Sequence, residues 1–281
     1  MELKNRKIAI AGLGLIGGSL AKAFRKYCGC GVAGFDRDPA VLKAALACGA
    51  VTRAGTGRDL RGADLLCLCL YPGAAADFVE KHLGDIRPGC VVTDTCGVKA
   101  AVCRRLAPLA ERGGFVFVGG HPMAGTEKRG FAASDADLFR GASCVLTPCG
   151  APQSAVDLLK AAAGALGFGR VVLTTPEEHD RRIAFTSQLP HALACAYVMS
   201  PQCPRHAGFS GGSYRDVSRV ANLNEALWAE LFLENRGALV QELDRLTQNL
   251  TRIRNAVAAQ DAETLRALLR RGRKIKEELG E

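Results

Sequence analysis

The sequence predicts an α/β chain in two parts: a doubly wound sheet domain over residues 1–175 and an all-helical domain over residues 176–281. Three observations carry that expectation. Short apolar β-like runs alternate with helical stretches through the first part. The alternation stops after Thr175-Pro176, beyond which no strand is convincing. Finally, a glycine-rich turn, Gly12-Leu13-Gly14-Leu15-Ile16-Gly17, stands between the first strand and the first helix.

The first strand is Lys7–Ala11, and the turn leads into a helix over Gly17–Tyr27. A second strand, Gly31–Phe35, and a second helix, Pro39–Cys48, repeat the unit. Leu65–Tyr71 is apolar throughout, as a strand buried on both faces of a parallel sheet should be. Cys90–Asp94, Val116–Gly119 and Ser143–Thr147 continue the strands, and a helix over Gln153–Leu166 with a strand over Arg170–Thr174 closes the series. The second part predicts a helix over His179–Met199, a glycine-rich break at Gly208–Ser213 and a long helical run from Asn224 onward. Within that run Leu239, Leu243, Leu246, Leu250, Ile253 and Val257 follow spacings of 4, 3, 4, 3 and 4, a heptad seam. Such a seam fits a helix packed on its own domain or, as favoured in a domain this small, the interface of a homodimer. Asp261 then caps a last amphipathic helix carrying Leu265, Leu268, Leu269 and Ile275.

With 48% hydrophobic and 23% charged residues, the chain has ample core for a globular protein. The apolar run near the N-terminus is broken by glycines and lacks a cleavage site, so it does not read as a signal peptide. No run of about 18 apolar residues exists to span a membrane. These features predict a cytoplasmic protein whose twelve cysteines stay reduced. The pairs Cys28/Cys30 and Cys67/Cys69 lack a second pair at zinc spacing, so no metal is expected. The net charge of +9 is spread among acidic residues without a dense basic stretch, which argues against nucleic acid. It fits a generally basic surface, or a positive cleft that attracts anionic small molecules.

The glycine turn has the form of a Rossmann dinucleotide fingerprint. Gly12 permits a tight turn, Gly14 lets the backbone approach a pyrophosphate, and Gly17 lets the helix pack on the strand. The amides of Leu15 and Ile16 open the helix toward the phosphates. Asp36 ends the second strand nineteen residues after Gly17, where a carboxylate accepts hydrogen bonds from the adenosine ribose. That carboxylate would repel a 2′-phosphate and favours NAD over NADP. Arg37, beside it, could bind such a phosphate, stack on the adenine or point into solvent.

The segment Gly120-His121-Pro122-Met123-Ala124-Gly125-Thr126-Glu127-Lys128 is expected in a short loop after a strand, where His121 is a plausible base. Downstream stand Leu189-Pro190-His191, then the run from Gly211 to Ala221, then Trp228, read as core packing, and Phe232-Leu233-Glu234-Asn235. With TDTCGVK from Thr93 to Lys99 and GLGLIGGSLA from Gly12, these motifs make the chain similar to the prephenate dehydrogenase family, which includes arogenate and cyclohexadienyl dehydrogenases. The resemblance covers nearly the whole chain.

The resemblance implies a Rossmann domain followed by an all-α dimerisation domain, and a small-molecule substrate, prephenate or arogenate. Hydride would leave the carbinol carbon for NAD and the ring carboxylate would leave as CO2, in the path to tyrosine. It implies that His121 takes the hydroxyl proton and that Arg219 grips a substrate carboxylate. His191, Thr126, Glu127, Arg215, Asp216 and Gly97 are expected around the substrate, and Asp94 near the cofactor. The structural alternatives for these polar residues are helix-surface charges or a buried histidine.

Many relatives place a serine where this chain has Gly97, so Thr95, Cys96, Thr126 or a water would have to take its contact with the histidine. The resemblance also implies a monofunctional enzyme, since the sequence shows neither a mutase nor a regulatory domain. Two rivals share the fingerprint: a β-hydroxyacid dehydrogenase, which would need a catalytic lysine, and a non-catalytic NAD sensor.

Overall fold

The computed structural model describes residues 3–126 and 128–280. Its strands are β1 (Ile8–Ala11), β2 (Val32–Phe35), β3 (Arg53–Ala54), β4 (Leu65–Leu68), β5 (Val91–Asp94), β6 (Val116–Pro122), β7 (Ser143–Thr147) and β8 (Arg170–Leu173). They form one sheet in the order β3-β2-β1-β4-β5-β6-β7-β8. Helices α1 (Leu15–Ala23), α2 (Pro39–Ala47), α3 (Gly57–Gly62), α4 (Pro72–Lys81), α5 (Ala100–Gly113) and α6 (Gln153–Ala165) lie between strands.

Alternate residues of a strand face opposite layers. Leu65 and Cys67 of β4 join one buried cluster, with Ile8, Ile10 and Val32, while Leu66 and Leu68 join the other, with Ala9, Ala11 and Val92. This two-faced burial is why β4 is apolar at every position. It also confirms the doubly wound arrangement.

Three differences from the sequence reading matter. First, β7 runs antiparallel to β6. A parallel return needs a crossover, and among the described residues of 123–142 the one helical element is the short turn Phe131–Ala133. Second, β6 extends to Pro122, so His121 belongs to a strand rather than to the loop after it. Third, the helical run from Asn224 breaks at Asn235 into α10 (Glu225–Glu234) and α11 (Arg236–Ala258).

Before these come α7 (Pro176–Ile183), a π-helical turn over Ala184–Gln188, α8 (Leu189–Val198) and α9 (Gly212–Ser218). Thr175 caps α7 by accepting from the Glu178 amide, and Pro176 sits in its first turn, where a missing N–H costs nothing.

The contacts divide the chain into a unit ending at Asn235 and a unit starting at Arg236. In the second unit α11 packs against α12 (Ala262–Glu278), whose cap Asp261 accepts from the Thr264 amide. Along the heptad seam Leu239 is buried, yet Leu250 and Val257 are 49% and 57% exposed. Among the described residues no helix is long and apolar enough to cross a membrane.

Candidate active site

The glycine turn is built by close approach. Gly12 has φ +85°, and a Cβ there would stand 2.3 Å from the Cys69 carbonyl oxygen. A Cβ on Gly17 would stand 1.8 Å from the Gly12 carbonyl oxygen, so α1 can begin this near the turn only without a side chain. Gly14, in contrast, meets nothing within 4 Å. Its open face and the N-terminus of α1 together form a cradle suited to a phosphate. At the end of β2, Asp36 accepts from the Leu13 amide (2.8 Å) and the Asp38 amide (3.0 Å), which ties its carboxylate to the turn. Arg37 is exposed next to it. Strand β1 lies between β2 and β4, the switch point at which such sheets bind ligands.

On the far side of β4, the end of β5 is braced from within. The buried ammonium of Lys99 bonds the Asp94 carboxylate and the Gly120 carbonyl oxygen, the latter at 2.7 Å. Burial opposes that charge most strongly, but Asp94, together with the nearby Cys96 and Cys103, holds the lysine above its ordinary value. Asp94 also accepts from the amides of Cys96 (2.9 Å) and Gly120 (3.1 Å). Asp94, expected near the cofactor, is 1% exposed, and its carboxylate holds the loop 95–99 against β6. The fit is close, since a Cβ on Gly120 would lie 2.6 Å from the Asp94 carbonyl oxygen.

His121 follows directly. Its Nδ1 is 2.9 Å from Nε2 of His179, whose own Nδ1 is 2.7 Å from Oδ1 of Asp180. Asp180 accepts from the backbone amides of Lys99 (2.7 Å) and Ala100 (2.9 Å). Asn235 donates to the Asp180 carbonyl (2.8 Å) and to the Gln188 side chain (2.7 Å). Burial, with help from neighbouring His179 and Lys99, pushes His121 well below the ordinary histidine value. Burial lowers His179 too, with Asp180 partly opposing it.

The other nitrogen of His121, Nε2, lies toward Gly97, where an added Cβ would stand 3.9 Å from it. Thr95 and Cys96 turn away, to the carbonyls of Leu68 (3.5 Å) and Leu70 (3.4 Å). Thr126 is exposed on the loop after β6, and its hydroxyl accepts from the Lys128 amide (3.2 Å). Neither Thr95 nor Cys96 thus replaces the expected serine.

The helical side presents different chemistry. His191 donates from Nδ1 to the Ser187 carbonyl (2.8 Å), inside the π-helical turn, and stacks on Trp228 with ring centroids 3.7 Å apart. Trp228 thus holds a candidate substrate residue as well as packing on Phe232. Burial lowers His191 most, the Ser187 carbonyl opposes this, and nearby Arg219 lowers it further. Arg219 opens the short turn Arg219–Ala221, which packs on α8. Arg215 and Asp216 are exposed on α9, about one turn before it. Arg129 donates to the Leu223 carbonyl (3.1 Å), linking the loop after β6 to this side. Glu127 lies outside the described residues.

The model of the prephenate dehydrogenase nucleotide-binding domain matches residues 20–181, and that of the prephenate dehydrogenase dimerization domain matches residues 175–271. The chain belongs to the prephenate dehydrogenase family. Cyclohexadienyl dehydrogenase of Zymomonas mobilis is 33% identical over 271 residues, covering 92% of this chain and 91% of that protein. The structure of prephenate dehydrogenase from Aquifex aeolicus, in complex with hydroxyphenyl propionate and NAD+, matches with a TM-score of 0.87 at 26% identity, covering 99% of each chain. Arogenate dehydrogenase of Synechocystis matches with a TM-score of 0.81 at 28% identity, covering 97% of this chain and 99% of that one.

As a prephenate dehydrogenase family member, the chain carries the family's nucleotide-binding and dimerization domains and is an oxidoreductase. The structure adds residues that the sequence reading missed: Lys99, His179, Asp180, Gln188 and Asn235. The signal for two of them was available, because His179-Asp180 is a titratable pair near the start of a capped helix.

Proposed function

We propose that this chain oxidises prephenate with NAD, releasing the ring carboxylate as CO2 and leaving 4-hydroxyphenylpyruvate. One observation carries the reading: His121 is a half-buried imidazole kept neutral, with Nδ1 engaged by His179 and Nε2 turned toward Gly97. A neutral Nε2 can take the ring hydroxyl proton as the carbinol carbon is oxidised. NAD, when bound, supplies the hydride acceptor.

The chain's other residues bind and orient. Gly12, Gly14 and Gly17, with the amides of Leu15 and Ile16, would hold the pyrophosphate, and Asp36 the adenosine ribose. The Asp36 carboxylate, with Arg37 exposed beside it, supports NAD over NADP. Arg219 would grip a substrate carboxylate through its planar fork. His191, Thr126, Glu127, Arg215 and Asp216 would surround the side chain of the substrate, and Gly97 leaves room for the ring beside the base. The half-exposed seam of α11 supports a homodimer, and the twelve free thiols fit a reducing cytoplasm.

The likeness to the Synechocystis arogenate dehydrogenase supports arogenate as a second substrate, with an amino group in place of the keto group. Initial rates with both substrates and both cofactors test the reading. The highest kcat/KM is expected for prephenate with NAD, and turnover of neither substrate would refute it.

A further inference from the structure

We infer that His179 and Asp180 are a positioning pair for His121: they fix its tautomer and take over the positive charge when it accepts a proton. The inference rests on the reading of His121 as the proton acceptor and deepens it.

The tautomers follow from one end. Asp180 is an acceptor for two backbone amides, Lys99 and Ala100, and so meets His179 as a carboxylate. His179 must then carry its hydrogen on Nδ1, which leaves Nε2 bare in the neutral ring. That bare Nε2 needs a donor, and the atom 2.9 Å away is Nδ1 of His121. His121 therefore carries its hydrogen on Nδ1 and keeps the lone pair on Nε2, the side of Gly97. A carboxylate behind one imidazole thus sets the reactive nitrogen of the next.

The same chain has a use during proton transfer. An imidazolium at His121 would be partly desolvated, and Lys99 is a cation nearby. The groups facing the pair are Asp94 at the end of β5, Lys99 from the loop after it, and Asp180 on α7 itself. Lys99 is already paired with Asp94, so the unspent negative charge is that of Asp180.

As the substrate O–H bond breaks, an Nε2–H bond forms on His121. The Nδ1–H bond of His121 then breaks, and an Nε2–H bond forms on His179. Asp180 stays ionised, His121 returns to neutral, and the charge comes to rest against a carboxylate 2.7 Å away. Release of the His121 Nε2 proton to water after turnover, with return of the His179 proton, restores the starting state.

The test uses the full chain labelled with 15N at histidine and saturated with NAD, without substrate. Nitrogen shifts at neutral pH should show His121 protonated on Nδ1 and bare on Nε2, and on acidification the first proton should settle on His179. His179→Gln offers His121 an acceptor oxygen but cannot take a proton. In that variant kcat should fall about 10- to 100-fold, KM should stay within about twofold, and protonation of His121 should move to lower pH.

A first proton settling on His121, or a Gln variant with unchanged kcat and pH profile, would overturn the inference. Should the variant not fold, the wild-type titration decides alone. Failure of the substrate reading would look different: wild type would turn over neither prephenate nor arogenate, while the nitrogen shifts would stand.

Discussion

On its Nδ1 side His121 meets groups that end in backbone: His179, then Asp180, then the amides that open α5. Its Nε2 lies toward Gly97, while the other candidate substrate residues, Arg215 and Asp216 on α9, Arg219 on the turn after it and Thr126 on the loop after β6, are all exposed. One side is an over-determined network of buried groups, and the other residues stand on exposed surface. Proton transfer needs a fixed atom and a fixed tautomer, whereas a carboxylate can be gripped from several geometries. In the proposed reading, the acid–base chemistry belongs to the sheet and its helix junction, and substrate fit to the helical surface.

The most severe break in this contrast is at the base itself. His121→Asn should lower kcat by roughly 10²–10⁴ with KM nearly unchanged, the loss expected when a positioned base is removed. Steady-state kinetics read both values, and a raised KM with intact kcat would reverse the assignment. Next comes the brace beneath. Lys99→Met would leave the buried Asp94 carboxylate without its cation, at a cost of about 3–5 kcal/mol in folding stability. Urea unfolding measures it, and adding Asp94→Asn should recover part of the loss.

The regions also differ in how far the sequence discloses them. The glycine turn was legible because its work is local: Gly12, Gly14 and Gly17 act through backbone within six residues, and Asp36 lies at a fixed distance along the next strand. The apolar run at Leu65 announced a doubly buried strand for the same reason. The pairing of His121 with His179 spans 58 residues, and no pattern encodes that approach. The bond of Asp94 to Lys99 was illegible too, since an acidic residue at a strand end reads alike whether or not a buried lysine meets it. The antiparallel β7 was illegible as well, since an apolar strand reads alike in either direction.

On the substrate side the expected effects are smaller. Arg219→Gln should act on KM, losing about 2 kcal/mol of a charge-assisted contact, or roughly thirtyfold. A change confined to kcat would move Arg219 from the grip to the chemistry. Acid stability weighs the two sides together. His121, His179 and His191 are all held below the ordinary histidine value, chiefly by burial. The native protein therefore refuses protons that the unfolded chain accepts. Stability should be level above pH about 6.5 and be lost as pH falls from there toward the depressed native values. Thermal unfolding between neutral and mildly acid pH measures this, and His121→Asn should flatten the decline.

Gly97→Ser is expected to have the smallest effect. The added Cβ would meet the Leu231 methyls at 3.4 Å and His121 Nε2 at 3.9 Å, ordinary contact distances, so the fold should accept it with little change in thermal stability. A hydroxyl there could donate to Nε2 and so orient the ring. But the ring is already held from Nδ1 by His179, and a second constraint on a fixed group gains little. The lone pair it would occupy is also the one that must receive the substrate proton. Turnover should therefore shift by less than about tenfold, the size of a single neutral hydrogen bond. A much larger rise would mean that His179 leaves the ring loose, and that the difference between the two sides of His121 is smaller than their hydrogen bonding implies.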